Sequence, residues 1–278
     1  MPIREKELEF FLFGDKGFLG SQTSKKLFSE GVKVKTYEGK ISSTSDLSFF
    51  DKSTSKDSIF FNFAGTGVTP KWDQDYGLSL VNKEILELLL PAFTSSDGRN
   101  FIHFASNYEK SEVDSIPISR QPYVKSKIAT SDLCKRFIQL DSRIKLLYLP
   151  TIISSAQPRG RFFRDFVECS RQEATFNLLS PNSRISISTF DYFYDHLIEF
   201  IGSEHSISEV EPELDSTVLG FAVILNKMLI ELGCSEVRIK TPDGFKPSFY
   251  GLENLELRPS FERRLRSYME EILGGHNG

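Results

Sequence analysis

The sequence predicts an α/β fold: a doubly wound parallel sheet wrapped by helices, with a small cap supplied by the C-terminal part. Three observations predict it. Short apolar runs alternate with amphipathic segments up to about residue 150, the signature of strands joined by helical crossovers. The first run passes directly into a glycine-rich turn and then into an amphipathic stretch. Beyond Pro150 the alternation loosens, as expected if residues 151–278 form a cap and return to the sheet domain of residues 1–150.

The elements follow in order. Leu8-Glu-Phe-Phe-Leu-Phe13 is an apolar strand, and Leu19, Thr23, Leu27 and Phe28 recur at near-helical spacing, giving a helix near 18–30. Val32-Lys-Val-Lys-Thr-Tyr37 is a second strand, and Ser42–Lys56 is serine-rich and polar, a loop or short helix. Further strands are expected near 58–63, 99–104 and 144–149, with helices near 78–93 and 122–139. Phe10, Phe11, Phe13, Phe60, Phe61 and Phe63, among 25 phenylalanines, are assigned to strands and mostly to the core. Pro158-Arg-Gly-Arg-Phe-Phe-Arg164, with three arginines in six residues, either opens the substrate cap or is a solvated turn before a helix. Gly202–Asp215 is acidic and polar and reads as a surface loop, Thr217–Leu232 as an amphipathic helix, and Ser260–Leu273 as a closing helix.

Composition narrows the function classes. A chain of 278 residues can bury a full core. No apolar run approaches the roughly 20 residues of a membrane helix, and the charged start Met1-Pro-Ile-Arg-Glu-Lys-Glu does not resemble a signal peptide, so a cytoplasmic protein without a membrane partner is expected. Net charge −4 argues against nucleic acid. Cys134, Cys169 and Cys234 are scattered and odd in number, reading as reduced thiols. His103 lies in an apolar run and reads as a core residue, while His196, His205 and His276 lack ligand spacing, so no metal site is expected.

Two motifs carry chemistry. Gly14-Asp-Lys-Gly17-Phe18-Leu19-Gly20 lies between strand and helix, the context of a dinucleotide-binding turn. Gly14 permits the tight turn, Gly17 lets backbone approach a pyrophosphate, and Gly20 lets helix pack on strand. The helix N-terminus then offers free N–H groups to the phosphates. The second motif is Tyr123-Val-Lys-Ser-Lys127. Its tyrosine and lysine lie on one helix face, one turn apart. A phenol with a pKa of roughly 10 is a poor acid at neutral pH unless a nearby positive charge favours the phenolate. Ser106, at the end of Asn100-Phe-Ile-His-Phe-Ala105, places a hydroxyl where it can bond the same substrate oxygen that Tyr123 would protonate.

Together these residues resemble the short-chain dehydrogenase/reductase superfamily, in its extended branch of Rossmann-type enzymes that modify nucleotide-activated sugars. Asp57-Ser-Ile-Phe-Phe-Asn-Phe63-Ala64-Gly65 is similar to the branch's strand whose end lies against the nicotinamide. Val81-Asn82 resembles its "VN" step, and Leu149-Pro150 its proline-bearing segment. Arg184-Ile-Ser-Ile-Ser-Thr-Phe-Asp191 resembles its late arginine segment, and Arg258-Pro259 its C-terminal end. The resemblance implies a triad of Ser106, Tyr123 and Lys127 braced by Asn82. It implies cofactor contacts from Gly14, Gly17, Phe18, Leu19, Gly20, Glu38, Phe63, Ala64, Gly65, Tyr123, Lys127 and Pro150, and substrate contacts from Thr66, Arg161, Arg184 and Arg258. Homodimerisation through two long helices, one bearing Tyr123, is common in the family; Ile128, Leu133 and Phe137 either supply the outward stripe this needs or face the domain's own core.

The cofactor signal is mixed. Glu38, eighteen residues beyond Gly20, favours NAD by accepting bonds from the ribose hydroxyls. Lys33, Lys35 and Lys40 either neutralise the 2′-phosphate of NADP or line a solvated strand edge. The reductases resembled here mostly use NADP, which tips the expectation that way. Ser106 is followed by Asn107 and Tyr108, not by the Asp-Glu pair of the branch's dehydratases. The short connection after Glu38 is similar to that of nucleotide-sugar 4-ketoreductases. The expected substrate is a nucleotide-diphosphate sugar, and the expected activity is reduction of a nucleotide-linked 4-keto-deoxysugar. An NAD-retaining epimerase is the alternative; a non-catalytic cofactor-binding sensor or assembly factor is the third class.

Overall fold

The computed structural model describes residues 8–37, 41, 47, 50, 55–65, 76–110, 121–245 and 257–274, with backbone alone for 76–81 and 121–122. Glu38, Lys40, Thr66 and nearly all of the Ser42–Lys56 segment lie outside the described residues. The chain divides into two compact units, Met1–Leu149 with Tyr194–Val210, and Pro150–Phe193 with Glu211–Gly278.

The first unit is built on a six-stranded sheet. Strands β1 (Glu9–Phe13), β3 (Ser58–Asn62), β4 (Asn100–Ser106) and β5 (Ile144–Leu149) are buried at every position. Their near-continuous apolar runs fit interior strands of a parallel sheet covered on both faces. With β2 (Lys33–Thr36) and β9 (Ile207–Glu209) at the edges, the order is β2-β1-β3-β4-β5-β9, and every pairing is parallel. The winding direction changes between β1 and β3, the switch point outside whose carboxyl ends such sheets bind ligands.

Helix α1 (Phe18–Ser29) buries Gly20, Thr23 and Leu27 toward the sheet, and Gly31, at φ +76°, ends it in the left-handed region. Helices α2 (Tyr76–Thr94) and α3 (Gln121–Ile138) pack against each other. Leu86, Leu89, Leu90 and Phe93 from α2 meet Leu133 and Cys134 from α3 in one phenylalanine-rich core. Within it Phe60 stacks on both Phe11 and Phe50, with ring centroids 4.7 and 4.8 Å apart. Leu133 belongs to this core and Phe137 packs against it, so both face inward. Burial pushes the Cys134 thiol up to about 12, which suits an inert core residue.

The segment read as a surface loop, Gly202–Asp215, holds β9 and β10 (Leu214–Thr217). Three residues of backbone pairing extend β5 despite side chains with no strand pattern of their own. Lys145 on β5 is buried beneath helix α5 (Phe190–Gly202), and its ammonium donates to the carbonyls of Phe200 (2.9 Å) and Ser203. A buried lysine thus satisfies carbonyls that the helix leaves open at its C-terminus. Lys145→Met keeps most of the volume and strands these acceptors; a loss of about 1–3 kcal/mol in urea unfolding is expected, and an unchanged midpoint would mean that solvent replaces the bonds.

The second unit contains β6 (Thr151–Ile153), β8 (Arg184–Thr189) and β10 in the order β10-β8-β6, and a two-stranded pair of β7 (Thr175–Asn177) and β11 (Arg238–Lys240). Helices α4 (Phe162–Arg171), α6 (Val218–Glu231) and α7 (Pro259–Gly274) enclose a core that includes Phe163, Phe166, Phe221, Leu225, Phe261 and Leu265. The Glu213 carboxylate is buried in it, accepting from the Thr189 N–H and hydroxyl (2.8 and 2.6 Å) and from Arg264 (2.9 Å).

Candidate active site

The glycine turn sits at the carboxyl end of β1, beside the carboxyl end of β3. Gly14 has φ +81°, and a Cβ there would lie 2.5 Å from the Ala64 nitrogen. At Gly20 a Cβ would lie 2.3 Å from the Gly14 carbonyl oxygen. Gly14 therefore lets the β1 turn press against the β3 loop, and Gly20 lets α1 pack under the turn. The turn is closed by the Gly17 N–H bond to the Gly14 carbonyl, 3.0 Å. Gly17 caps α1 without a side-chain bond, and the first turn, with Phe18 and Leu19, holds no acidic residue. The result is a narrow cradle with N–H groups at its mouth and no side-chain acceptor on them among the described residues, a fit for a pyrophosphate.

The β3 loop is held from below. The Asn62 side-chain oxygen accepts the Ala64 N–H (3.1 Å), and its nitrogen faces His103 Nδ1 at 3.2 Å. Since Asn62 must donate there, the neutral His103 carries its proton on Nε2. Burial, with the Lys127 charge adding to it, pulls the imidazole well below its ordinary pKa. His103 is thus the core residue that the sequence suggested, and it also fixes the loop. Phe63 in that loop is half-buried, stacking on Phe104 with centroids 4.1 Å apart. Sequence reasoning passed over Asn62; the signal was a lone amide in an apolar strand.

The catalytic candidates gather along β4, α2 and α3. Tyr123 is half-buried on the first turn of α3, one turn before Lys127. The Lys127 ammonium donates to the Phe104 carbonyl at 3.1 Å, two residues before Ser106, which ties α3 to the end of β4. Burial pulls Lys127 below its ordinary pKa, and the Glu109 charge opposes that. Asn82 on α2 donates to the Ser126 hydroxyl at 3.2 Å, and Gly65 lies over the same amide. Ser106 is buried; its oxygen accepts the Tyr108 N–H at 3.3 Å, which leaves the hydroxyl proton to be donated.

Other candidates fare differently. Lys33 and Lys35 both pair with Glu9 on β1, the latter at 3.0 Å. Burial raises the Glu9 pKa, but the two lysines outweigh it and hold the carboxyl below its ordinary value. Lys33 lies opposite Glu9, at the end of the sheet away from the glycine turn. It is about 10 Å of strand from Thr36 at the near end, and pairing with Glu9 draws the Lys35 ammonium back toward the same far end. In the second unit, Pro150 follows β5, Arg161 caps the N-terminus of α4, Arg184 opens β8, and Arg258 precedes α7. Arg184 and Arg258 are exposed. Of the arginines in the Pro158–Arg164 run, Arg159 and Arg164 are held by Glu168.

No family model matches the chain, and no curated protein matches it in sequence. Solved structures do match in fold. The dTDP-glucose 4,6-dehydratase of Streptomyces venezuelae, with NAD bound, is 14% identical with a TM-score of 0.75 over 98% of each chain. The GDP-mannoheptose C4 reductase of Campylobacter jejuni, with NADP bound, is 12% identical with a TM-score of 0.74 over 97% of this chain and 99% of that one. UDP-glucuronic acid 4-epimerase of Bacillus cereus, in complex with UDP-glucuronic acid and NAD, is 14% identical with a TM-score of 0.72 over 97% of this chain and all of the other. At such identities the likeness is one of architecture alone, a fold shared with these NAD- or NADP-bound enzymes; it stands beside the resemblance of the sequence motifs to the extended short-chain dehydrogenase/reductase superfamily.

Proposed function

We propose that this chain is a member of that superfamily, an NAD(P)H-dependent oxidoreductase that reduces the keto group of a nucleotide-linked 4-keto-deoxysugar. The observation that carries the reading is that one unit holds both halves of the needed chemistry. Its glycine cradle lies at the switch point of the sheet, and Tyr123 and Lys127 stand on a helix fastened to the strand that presents Ser106. The bound nicotinamide would supply the hydride. The Gly14–Gly20 turn and the N–H groups of α1 would hold the pyrophosphate, and Lys127 the nicotinamide ribose. Tyr123 would give a proton to the carbonyl oxygen that the Ser106 hydroxyl orients, while Asn82 braces α2 against α3 through Ser126. We assign the substrate cap to the second unit, with Arg161, Arg184 and Arg258 as candidate partners of the diphosphate.

A dehydratase would need an acid and a base beside Ser106; Asn107 and Tyr108 stand where the dehydratases' Asp-Glu pair would be, and the displaced Glu109 is turned back onto the Ser106 N–H. The NAD-retaining epimerase remains the second reading. It is favoured by the engagement of Lys33 and Lys35 with Glu9, which leaves fewer cations to balance a 2′-phosphate.

The test is to mix purified protein with NADPH or NADH and a panel of nucleotide-linked 4-keto-deoxyhexoses, following nicotinamide absorbance and sugar products. Oxidation of the cofactor with sugar reduction supports the reductase. Epimer without net oxidation assigns the epimerase, bound cofactor without turnover assigns the sensor, and failure to bind either cofactor overturns all three. Arg184→Ala should raise the KM for the true substrate about tenfold, less than for a fully buried pair because solvent reaches the guanidinium. Cofactor affinity should stay unchanged, and an unaltered KM would remove Arg184 from the site.

A further inference from the structure

Glu109 lies in the 3-10 turn Asn107–Lys110 that follows β4, and its carboxylate folds back to accept the Ser106 N–H at 2.8 Å. The bond fixes the peptide whose side chain faces the reacting oxygen in the reading above. The Lys127 ammonium donates to the Phe104 carbonyl at 3.1 Å; residues two apart in a strand turn their backbone groups to the same edge, so the carboxylate on Ser106 and the ammonium on Phe104 lie along one edge of β4. We propose that Glu109 is a positioning residue: it anchors the Ser106 peptide and supplies the counter-charge to the half-buried Lys127 ammonium held on the same strand edge.

The charges around it make the balance clear. Burial pushes the Glu109 carboxyl up from its ordinary value, against the pull of the Ser106 N–H, Lys127 and Lys135. Lys110, next in the turn, is engaged by Glu209 on β9, and His103 on β4 is neutral. Burial lowers the Lys127 pKa and the Glu109 charge raises it. A buried ammonium deprived of its counter-charge titrates at lower pH. The site would then lose, as pH rises, the charge assigned to the ribose and to the phenol, and would lose it earlier.

This proposal rests on the function proposed above for its consequence in catalysis, but its central claim can be measured without any cofactor. The titration of Lys127 is followed by NMR of the ligand-free protein labelled with carbon-13 lysine, the signal being assigned by its loss in Lys127→Met. In Glu109→Gln, which keeps an oxygen able to accept the Ser106 N–H, the Lys127 midpoint should fall by about one pH unit or more. Nicotinamide-cofactor affinity should then weaken from a correspondingly lower pH. Glu109→Ala, lacking the acceptor as well, should lower kcat below that of Glu109→Gln. An unchanged midpoint in Glu109→Gln overturns the proposal. If wild-type protein binds no nicotinamide cofactor, the proposed function fails, while the Lys127 midpoint still decides the role of Glu109. If Glu109→Gln does not fold, Glu109→Gln/Lys127→Met is made. Recovered folding supports a compensating charge pair, and continued failure overturns it.

Discussion

Tyr123→Phe is expected to lower turnover by roughly 10² or more, the contribution of a positioned general acid, with cofactor affinity nearly unchanged. The substitution removes one oxygen from a half-buried ring and leaves Lys127 bonded to the Phe104 carbonyl, so the fastening of α3 to β4 persists. Ser106 is a poor substitute for the proton source, because donating its own hydroxyl proton would leave a buried alkoxide facing, among the described residues, the backbone N–H of Tyr108. Rate is measured under saturating cofactor and sugar, with circular dichroism as the check on folding. Near-normal turnover in the variant would remove Tyr123 from the acid's role.

Gly14→Ala is expected to cost about 2–5 kcal/mol of stability and to abolish cofactor binding. Two effects add: a left-handed backbone costs an alanine about 1–2 kcal/mol, and crowding within a packed site costs about 1–3 kcal/mol more. The second arises because the new Cβ would meet the Ala64 nitrogen at 2.5 Å and the Phe63 carbonyl carbon at 2.6 Å, both backbone atoms. Gly31→Ala separates the two. Gly31 has φ +76°, but a methyl there would meet nothing within 4 Å, so only the backbone cost applies and cofactor titration should be untouched. Equal urea midpoints for the two variants would mean that the β3 loop yields to the methyl, and that the cradle is looser than its close contacts imply.

The parts of the fold legible in the sequence were those whose own side chains carry the signal. Strands β1, β3, β4 and β5 are buried on both faces and read as apolar runs, and α1, α2 and α3 show helical periodicity within two residues of their ends. Strand β9 was hidden because it exists by pairing with the exposed edge of β5; Ile207-Ser-Glu209 has no alternation to reveal it. The same contrast holds at the site. The glycine turn and the Tyr123–Lys127 pair are local motifs. Glu9 instead captures Lys33 and Lys35 across two strands, and the place of Glu109 depends on a turn that folds it back over Ser106. Such contacts have no signature in spacing.

The first unit is discontinuous in the chain, which governs when it can become stable during synthesis. Its sheet gains β9, and Lys145 gains its carbonyl partners at the end of α5, only from residues near 200–210, after the first segment of the second unit, Pro150–Phe193, has been made. Until then β5 presents an open edge of backbone N–H and C=O groups flanked by an uncompensated lysine, the kind of template on which nascent chains associate. Long-range closure of this sort is slow relative to the local β1–α1–β2 crossover that precedes it. The ribosome-bound chain that has completed β5 but not β9 is therefore the aggregation-prone species, and chaperone dependence should be concentrated in the interval before residue 210 emerges.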